Sequence, residues 1–299
     1  MTNRSKAEAA LLSLTLIWGS TFAFMKIGLR DISPILMTTA RFTAASLVFL
    51  MLFARKIFPL PHGALEKGGL LGAFLFLGFV AQNVGLNYTT ASKSAFITSL
   101  MVVFVPLLQF LIEKRPPTIG NMVGIGVATI GLWLLTAPSG STFTIGDGLT
   151  LVCAILFAFY IVYLDVASRA MSALQLTFLQ FAACAVLGWA TTLLVEDWFL
   201  HPTSSLILSL GYLTLFATLL TTFMQTRFQK DTTPTRAAII FTIEPVWASL
   251  LAYVLLGERL GTFGIVGASL IVTGVLVSEL SDKLPFSTSE GVQKGCGRR

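Results

Sequence analysis

Charge is scarce in this sequence: 20 Lys and Arg and 14 Asp and Glu in 299 residues make 11%, against about 25% in a soluble domain. With 55% hydrophobic residues and a mean hydropathy of +0.83, a soluble globular protein is excluded. Cysteine occurs three times, at Cys153, Cys184 and Cys296, and histidine twice, at His62 and His201. Three scattered cysteines give neither a disulfide framework nor metal-ligand spacing. Both histidines fall in connections, so no His/Glu or Cys/His cluster is available for chemistry inside a membrane. The sequence implies no cofactor, no metal and no enzyme.

What is present is apolar sequence in long runs. Eight stretches lack Asp, Glu, Lys and Arg altogether: 9–25, 68–92, 94–112, 116–146, 148–164, 170–195, 198–226 and 260–278. Two more, 34–53 and 237–256, are interrupted by one charge each, Arg41 and Glu244. About 20 apolar residues cross the ~30 Å hydrocarbon core as a helix, so ten spans are expected. They leave no room for a soluble domain. The runs are continuously apolar without the period-2 alternation of a membrane barrel. The first run follows Met1–Lys6 without a small-residue cleavage pattern and reads as a retained helix rather than a signal peptide.

A net charge of +6 and a pI near 9.4 raise the question of nucleic acid. With the N-terminus placed in the cytoplasm, 15 of the 20 basic residues fall on the inner side, only Arg30, Lys93 and Arg259 fall outside, and Lys26 and Arg41 lie within helices. The basic excess is thus topogenic: it predicts two cytoplasmic termini and calls for no nucleic acid. Residues 281–299 are polar and basic without amphipathic period, as expected of a disordered tail touching anionic lipid at most.

The chain repeats itself. Residues 94–133 laid on 237–276, an offset of 143, give eight identities without a gap, including Gly124/Gly267 and Gly131/Gly274; Lys93 falls on Arg236. Leu14–Leu29 on Leu149–Leu164 gives seven more, with Phe22-Ala23-Phe24 on Phe157-Ala158-Phe159. This predicts duplication, with an N-terminal tail at 1–8, a first repeat at 9–141, a second at 142–280 and the tail at 281–299. Five helices per half is an odd number, so the second copy enters the membrane from the opposite side. The expected fold is an all-α integral membrane protein of ten transmembrane helices in two inverted five-helix repeats, the architecture in which rocking bundles expose a midplane site to each side in turn. The paired glycines, seven apart, put small faces on the fifth and tenth spans and favour packing over solute contact. Those spans are expected at the periphery, with spans 1, 3, 4, 6, 8 and 9 around a central cavity.

Trp18-Gly19-Ser20-Thr21-Phe22 followed by Lys26, then Pro34 and Arg41-Phe42, resembles the opening pattern of the EamA family of the drug/metabolite transporter superfamily. Glu244-Pro245-Val246, Leu256-Gly257-Glu258-Arg259 and the glycines of the last span are similar to its closing pattern. The resemblance covers about residues 9–280. The first half departs from the second: Met101 stands where Glu244 does, and Pro106 lies one turn beyond the position matching Pro245. The resemblance implies export or exchange of a small metabolite or drug across a bacterial inner membrane without an ATPase, and leaves the solute open.

Charges inside a span are costly and face the bundle interior or snorkel. Lys26, two residues before Gly28, is expected to lift its ammonium into the headgroups. Arg41 lies deeper, where a guanidinium can grip a solute carboxylate, cap helix ends or lock a gate. Glu244 sits beside Pro245, a broken helix next to a carboxylate, and reads either as a solute or proton site or as a structural acceptor. From the expected depths, a direct Arg41–Glu244 salt bridge is not anticipated. Trp18, Ser20, Thr21, Gln82, Asn83 and Tyr160 fall near mid-depth and complete an aromatic, hydrogen-bonding cavity, although Trp and Tyr also serve as packing anchors. One intramembrane acid and two bases suit a small zwitterion or weak anion better than a multivalent phosphate. An amphipathic drug or cation, a sugar derivative, and less readily a membrane enzyme or scaffold are the alternatives. The charge rings or carbonyl filter of a channel are not visible. The partners are a small solute and the bilayer, with monomer and homodimer both open.

Overall fold

A computed structural model describes residues 3–114, 116–136, 143–256 and 262–281. The readings that involve Arg115, Gly257, Glu258, Arg259, Cys296 or the tail beyond residue 281 lie outside these residues. The described chain is all-helical: α1 (Asn3–Gly28), α2 (Pro34–Ile57), α3 (Ala64–Leu86), α4 (Ala91–Ser99), α5 (Met101–Glu113), α6 (Ile119–Thr136), α7 (Ile145–Ser168), α8 (Ala173–Val195), α9 (Ser204–Thr214), α10 (Thr221–Phe228), α11 (Pro234–Phe241), α12 (Glu244–Leu256) and α13 (Thr262–Ser281). A π turn, Leu215–Leu220, joins α9 to α10.

Among the described residues, seven helical stretches are long and apolar enough to cross a membrane: α1, α2, α3, α4 with α5, α7, α8, and α9 through Asp231. Two shorter apolar helices, Ile119–Leu134 and Thr262–Ser278, accompany them. Leu47, Met51, Leu111, Leu194 and Ile265 are among many large apolar side chains left exposed, as a lipid-facing surface requires and water would penalise.

The helix ends follow local chemistry. Pro34 opens α2, where its missing N–H is no loss, and Glu196 from the end of α8 accepts from Ile35 N, Leu36 N and Ser33 Oγ at 2.8–2.9 Å. Thr144 with Asp147 and Ser172 with Gln175 form capping boxes on α7 and α8. The first helix begins at Asn3 rather than at residue 9, because Arg4 pairs with Glu8 across one turn at 2.8 Å and Glu8 is itself held by Arg236.

Two helix pairs break alike. Ala91 and Pro234, which start α4 and α11, are 143 residues apart, and so are Met101 and Glu244, which start α5 and α12. At each break the chain tightens to three-residue spacing: Leu100 N donates to Ile97 O, and Thr242 N and Ile243 N donate to Ile239 O and Ile240 O. Pro245 explains the second break, since its ring has no N–H for the Phe241 carbonyl. Pro106 lies inside α5, which runs through it, so the first break owes its place to the tight turn at Leu100.

α6 packs on α13, α3 on α7 and α8, α2 on α8, and α1 on α12. In the first pair a Cβ on Gly124 would lie 2.7 Å from the Gly274 carbonyl oxygen, and one on Gly131 would lie 2.7 Å from that of Gly267. Only glycine allows so close an antiparallel approach.

Candidate functional site

The polar mid-depth residues converge on one cavity. Its wall takes Trp18 and Thr21 from α1, Arg41 from α2, Leu75, Phe79 and Gln82 from α3, and Thr98 and Met101 from either side of the first break. Phe157, Tyr160 and Ile161 of α7, Thr222 and Gln225 of α10, and Phe241 and Glu244 from the second break complete it. No residue of α6 or α13 is among these; α2, through Arg41, joins the helices expected to contribute.

Most of the polar wall is satisfied within the protein. Trp18 Nε1 donates to Thr221 Oγ1 at 3.0 Å, and its ring meets Phe241 edge-on with centroids 5.0 Å apart. Thr21 Oγ1 donates to the Trp18 carbonyl, and Gln82 Nε2 to Thr98 Oγ1 at 3.2 Å. Tyr160 OH donates to Gln180 Oε1 at 2.7 Å, and Gln180 Nε2 to Thr226 Oγ1 at 3.3 Å. Ser20 and Asn83 stand apart from the lining. Ser20 Oγ donates to Ile17 O and shares a 2.6 Å hydrogen bond with Tyr212 OH, and Asn83 Nδ2 donates to Thr38 Oγ1 at 2.8 Å.

Two charges are different. Arg41 is fully buried, with Nε on Thr218 Oγ1, Nη2 on Ala217 O at 3.2 Å, and its guanidinium carbon 4.6 Å from the centroid of Phe79. All of these are neutral; among the described residues no carboxylate pairs with it. Glu244 is buried at the first residue of α12, a position where backbone N–H groups favour a negative charge. Its carboxylate has no hydrogen-bond or ion-pair partner among the described residues. Gly19 lets α1 approach this turn: a Cβ there would lie 2.9 Å from the Glu244 carbonyl oxygen. One cavity thus holds a guanidinium and a carboxyl group, on separate helices, without an ion pair between them. It can receive a small solute that carries both charges, with aromatic rings for its apolar part.

Lys26 Nζ donates to Leu86 O at 2.5 Å and Thr89 O at 2.7 Å, where the link from α3 to α4 brings the carbonyl end of α3 over it. Thr218, Thr222 and Gln225 escaped the sequence reading altogether. For Thr222 and Gln225 the signal was there in Thr221-Thr222-Phe223-Met224-Gln225-Thr226, an unusually polar stretch within a charge-free run. The aromatic walls, Phe79, Phe157 and Phe241, had no such mark among 24 phenylalanines.

A model of the EamA-like transporter family matches this chain twice, over residues 5–137 and 144–280. An uncharacterized transporter of Archaeoglobus fulgidus is 34% identical over 278 residues, which cover 93% of this chain and 87% of that protein. An Escherichia coli K12 protein named as an uncharacterized inner membrane transporter, YedA, is 29% identical over 291 residues, covering 92% and 91%. A solved crystal structure shares the fold, with a TM-score of 0.78 over 94% of this chain and 98% of its own at 19% identity. Matched by one family model in each half, this integral membrane protein belongs to the EamA-like transporter family.

Proposed function

We infer that the protein is a secondary transporter that exports or exchanges a small metabolite, an amino acid or a similar zwitterion, across a bacterial inner membrane by alternating access. Ten spans in two inverted five-helix repeats form the frame, with both termini in the cytoplasm. The observation that carries the reading is the pairing of Arg41 and Glu244 in one aromatic cavity, each without an opposite charge from the protein. Burying unmatched charges is costly in a membrane and is retained where a solute supplies the match. The inverted repeat is supported by the breaks 143 residues apart, the antiparallel glycine contacts and the two family matches.

Reconstitution in liposomes with radiolabelled amino acids, sugars and cationic dyes, with and without a pH gradient, tests it. Uptake or counterflow of amino acids, competed by other zwitterions and lost in Arg41→Met, is expected. A drug or cation transporter is the second reading, favoured by Glu244 among aromatic rings. Dye transport independent of Arg41 would select it.

A further inference from the structure

A short motif stands before both broken helix pairs. Thr89, Thr90 and Lys93 lead into α4, and Thr232, Thr233 and Arg236, each 143 residues later, lead into α11. The two copies make the same contacts. Thr90 and Thr233 are the N-caps, accepting from the backbone N–H of Lys93 and of Arg236. Lys93 Nζ meets Asp147 Oδ2 at 2.6 Å, and Arg236 Nη1 meets Glu8 Oε1 at 2.7 Å. Thr89 Oγ1 donates to Asp147 Oδ1 at 2.8 Å, and Thr232 Oγ1 reaches Glu8 Oε1 at 3.5 Å. Each acid comes from the first helix of the other half, Asp147 from the opening turn of α7 and Glu8 from the start of α1.

The two clusters lie at opposite ends of the molecule. Lys26, late in α1, donates to Thr89 O beside the first cluster, while Glu8 of the second lies 18 residues earlier on the same helix. At 1.5 Å per residue that is about 27 Å. Trp18 and Thr21, on the cavity wall, stand between them. Each cluster therefore ties a broken helix to the opposing half, one at either end of the cavity. The Asp147 side chain is 0% exposed and that of Arg236 3%. Their partners are partly exposed, Lys93 at 20% and Glu8 at 14%, so parting either pair leaves a buried charge unmatched unless water reaches it, which suits a contact with two discrete states.

We propose that Lys93–Asp147 and Glu8–Arg236 are equivalent latches, one closing each end of the cavity, and that the cavity opens to one side when the latch at that end parts while the other holds. The assignment rests on the transporter reading. Both latches are closed in this structure.

The test places a single cysteine at cavity residue Thr222 of the full chain, with Cys153, Cys184 and Cys296 replaced, and labels it with an impermeant maleimide in right-side-out and inside-out vesicles. Lys93→Met is expected to raise labelling from the face nearest Lys26 by about fivefold and to lower it from the other; Glu8→Gln is expected to do the reverse. Lys93→Arg keeps the wild-type pattern. Asp147 also caps α7, so it is changed only in the swap Lys93→Asp with Asp147→Lys, which returns labelling towards wild type. Labelling of wild type from both faces, unshifted by Lys93→Met or Glu8→Gln, overturns the latches and leaves the transporter reading standing. A shift towards the same face in both variants also overturns them. Labelling from neither face in any variant that elutes as folded protein overturns both the latches and that reading.

Discussion

Arg41 donates to Thr218 Oγ1 and to the Ala217 carbonyl, two acceptors supplied by the π turn that joins α9 to α10. Neither acceptor depends on it. Thr218 Oγ1 also donates to Leu213 O at 2.8 Å, and Ala217 O also accepts from Thr221 Oγ1 at 2.8 Å. Removing the guanidinium thus orphans no partner, while it removes a buried, unmatched charge. Arg41→Met is expected to leave the melting temperature in detergent unchanged or higher, a gain of about 0–2 kcal/mol, and to lower solute transport by about tenfold or more. A large fall in melting temperature would make Arg41 a structural cap.

Glu244 separates proton coupling from facilitated diffusion. A carboxylate bonded to backbone donors would be a fixed acceptor, but no donor reaches this one among the described residues, so in the proposed alternating-access cycle it is expected to exchange a proton. Glu244→Gln in proteoliposomes is expected to abolish pH-gradient-driven accumulation while leaving solute exchange measurable. Accumulation at wild-type levels ends the proton role. Loss of folding and exchange together favours the structural one.

The glycines of α6 are not equivalent. A Cβ on Gly131 would lie 2.7 Å from both Gly267 O and Ile271 N, backbone atoms that cannot step aside, whereas Gly126 has nothing within 4 Å. Gly131→Ala is expected to lower the melting temperature by several degrees, roughly 1–3 kcal/mol. Gly126→Ala is expected to be neutral or to gain about 0.5–1 kcal/mol from helix propensity. Equal effects at the two positions would show that α6 and α13 are not in register through Gly131.

The proposed inverted topology predicts that Lys114 and Glu258, at similar places in the two halves, lie on opposite sides of the membrane. An impermeant thiol reagent applied to intact cells is expected to label Glu258→Cys and not Lys114→Cys. Labelling of both from one side would overturn the inversion and most of the transport reading with it.

The membrane class and the duplication were legible because bilayer thickness and gene repetition write directly into sequence: charge-free runs long enough to span, and Gly124 and Gly131 recurring as Gly267 and Gly274. Six of the eight candidate residues were legible as lining because a polar or charged group inside a span has few places to be other than a cavity. Ser20 and Asn83 show the limit of that logic, since a small polar group can also be satisfied by a neighbouring helix, as Tyr212 and Thr38 do for them. Arg41's setting was illegible, because no sequence rule marks a π turn between α9 and α10. The fate of Lys26 depended on where the link after α3 would fold, which is a tertiary matter.

Of the two equivalent breaks, only one carries a charge: Glu244 heads α12, and Met101 heads α5 in the same position. In a two-fold frame the walls would look alike to a molecule arriving from either face. The cavity wall does not, having a carboxyl group at one break and a soft thioether at the other. If the cavity carries solute as proposed, a passenger charged at one end would ride in a fixed orientation, whichever door it came through.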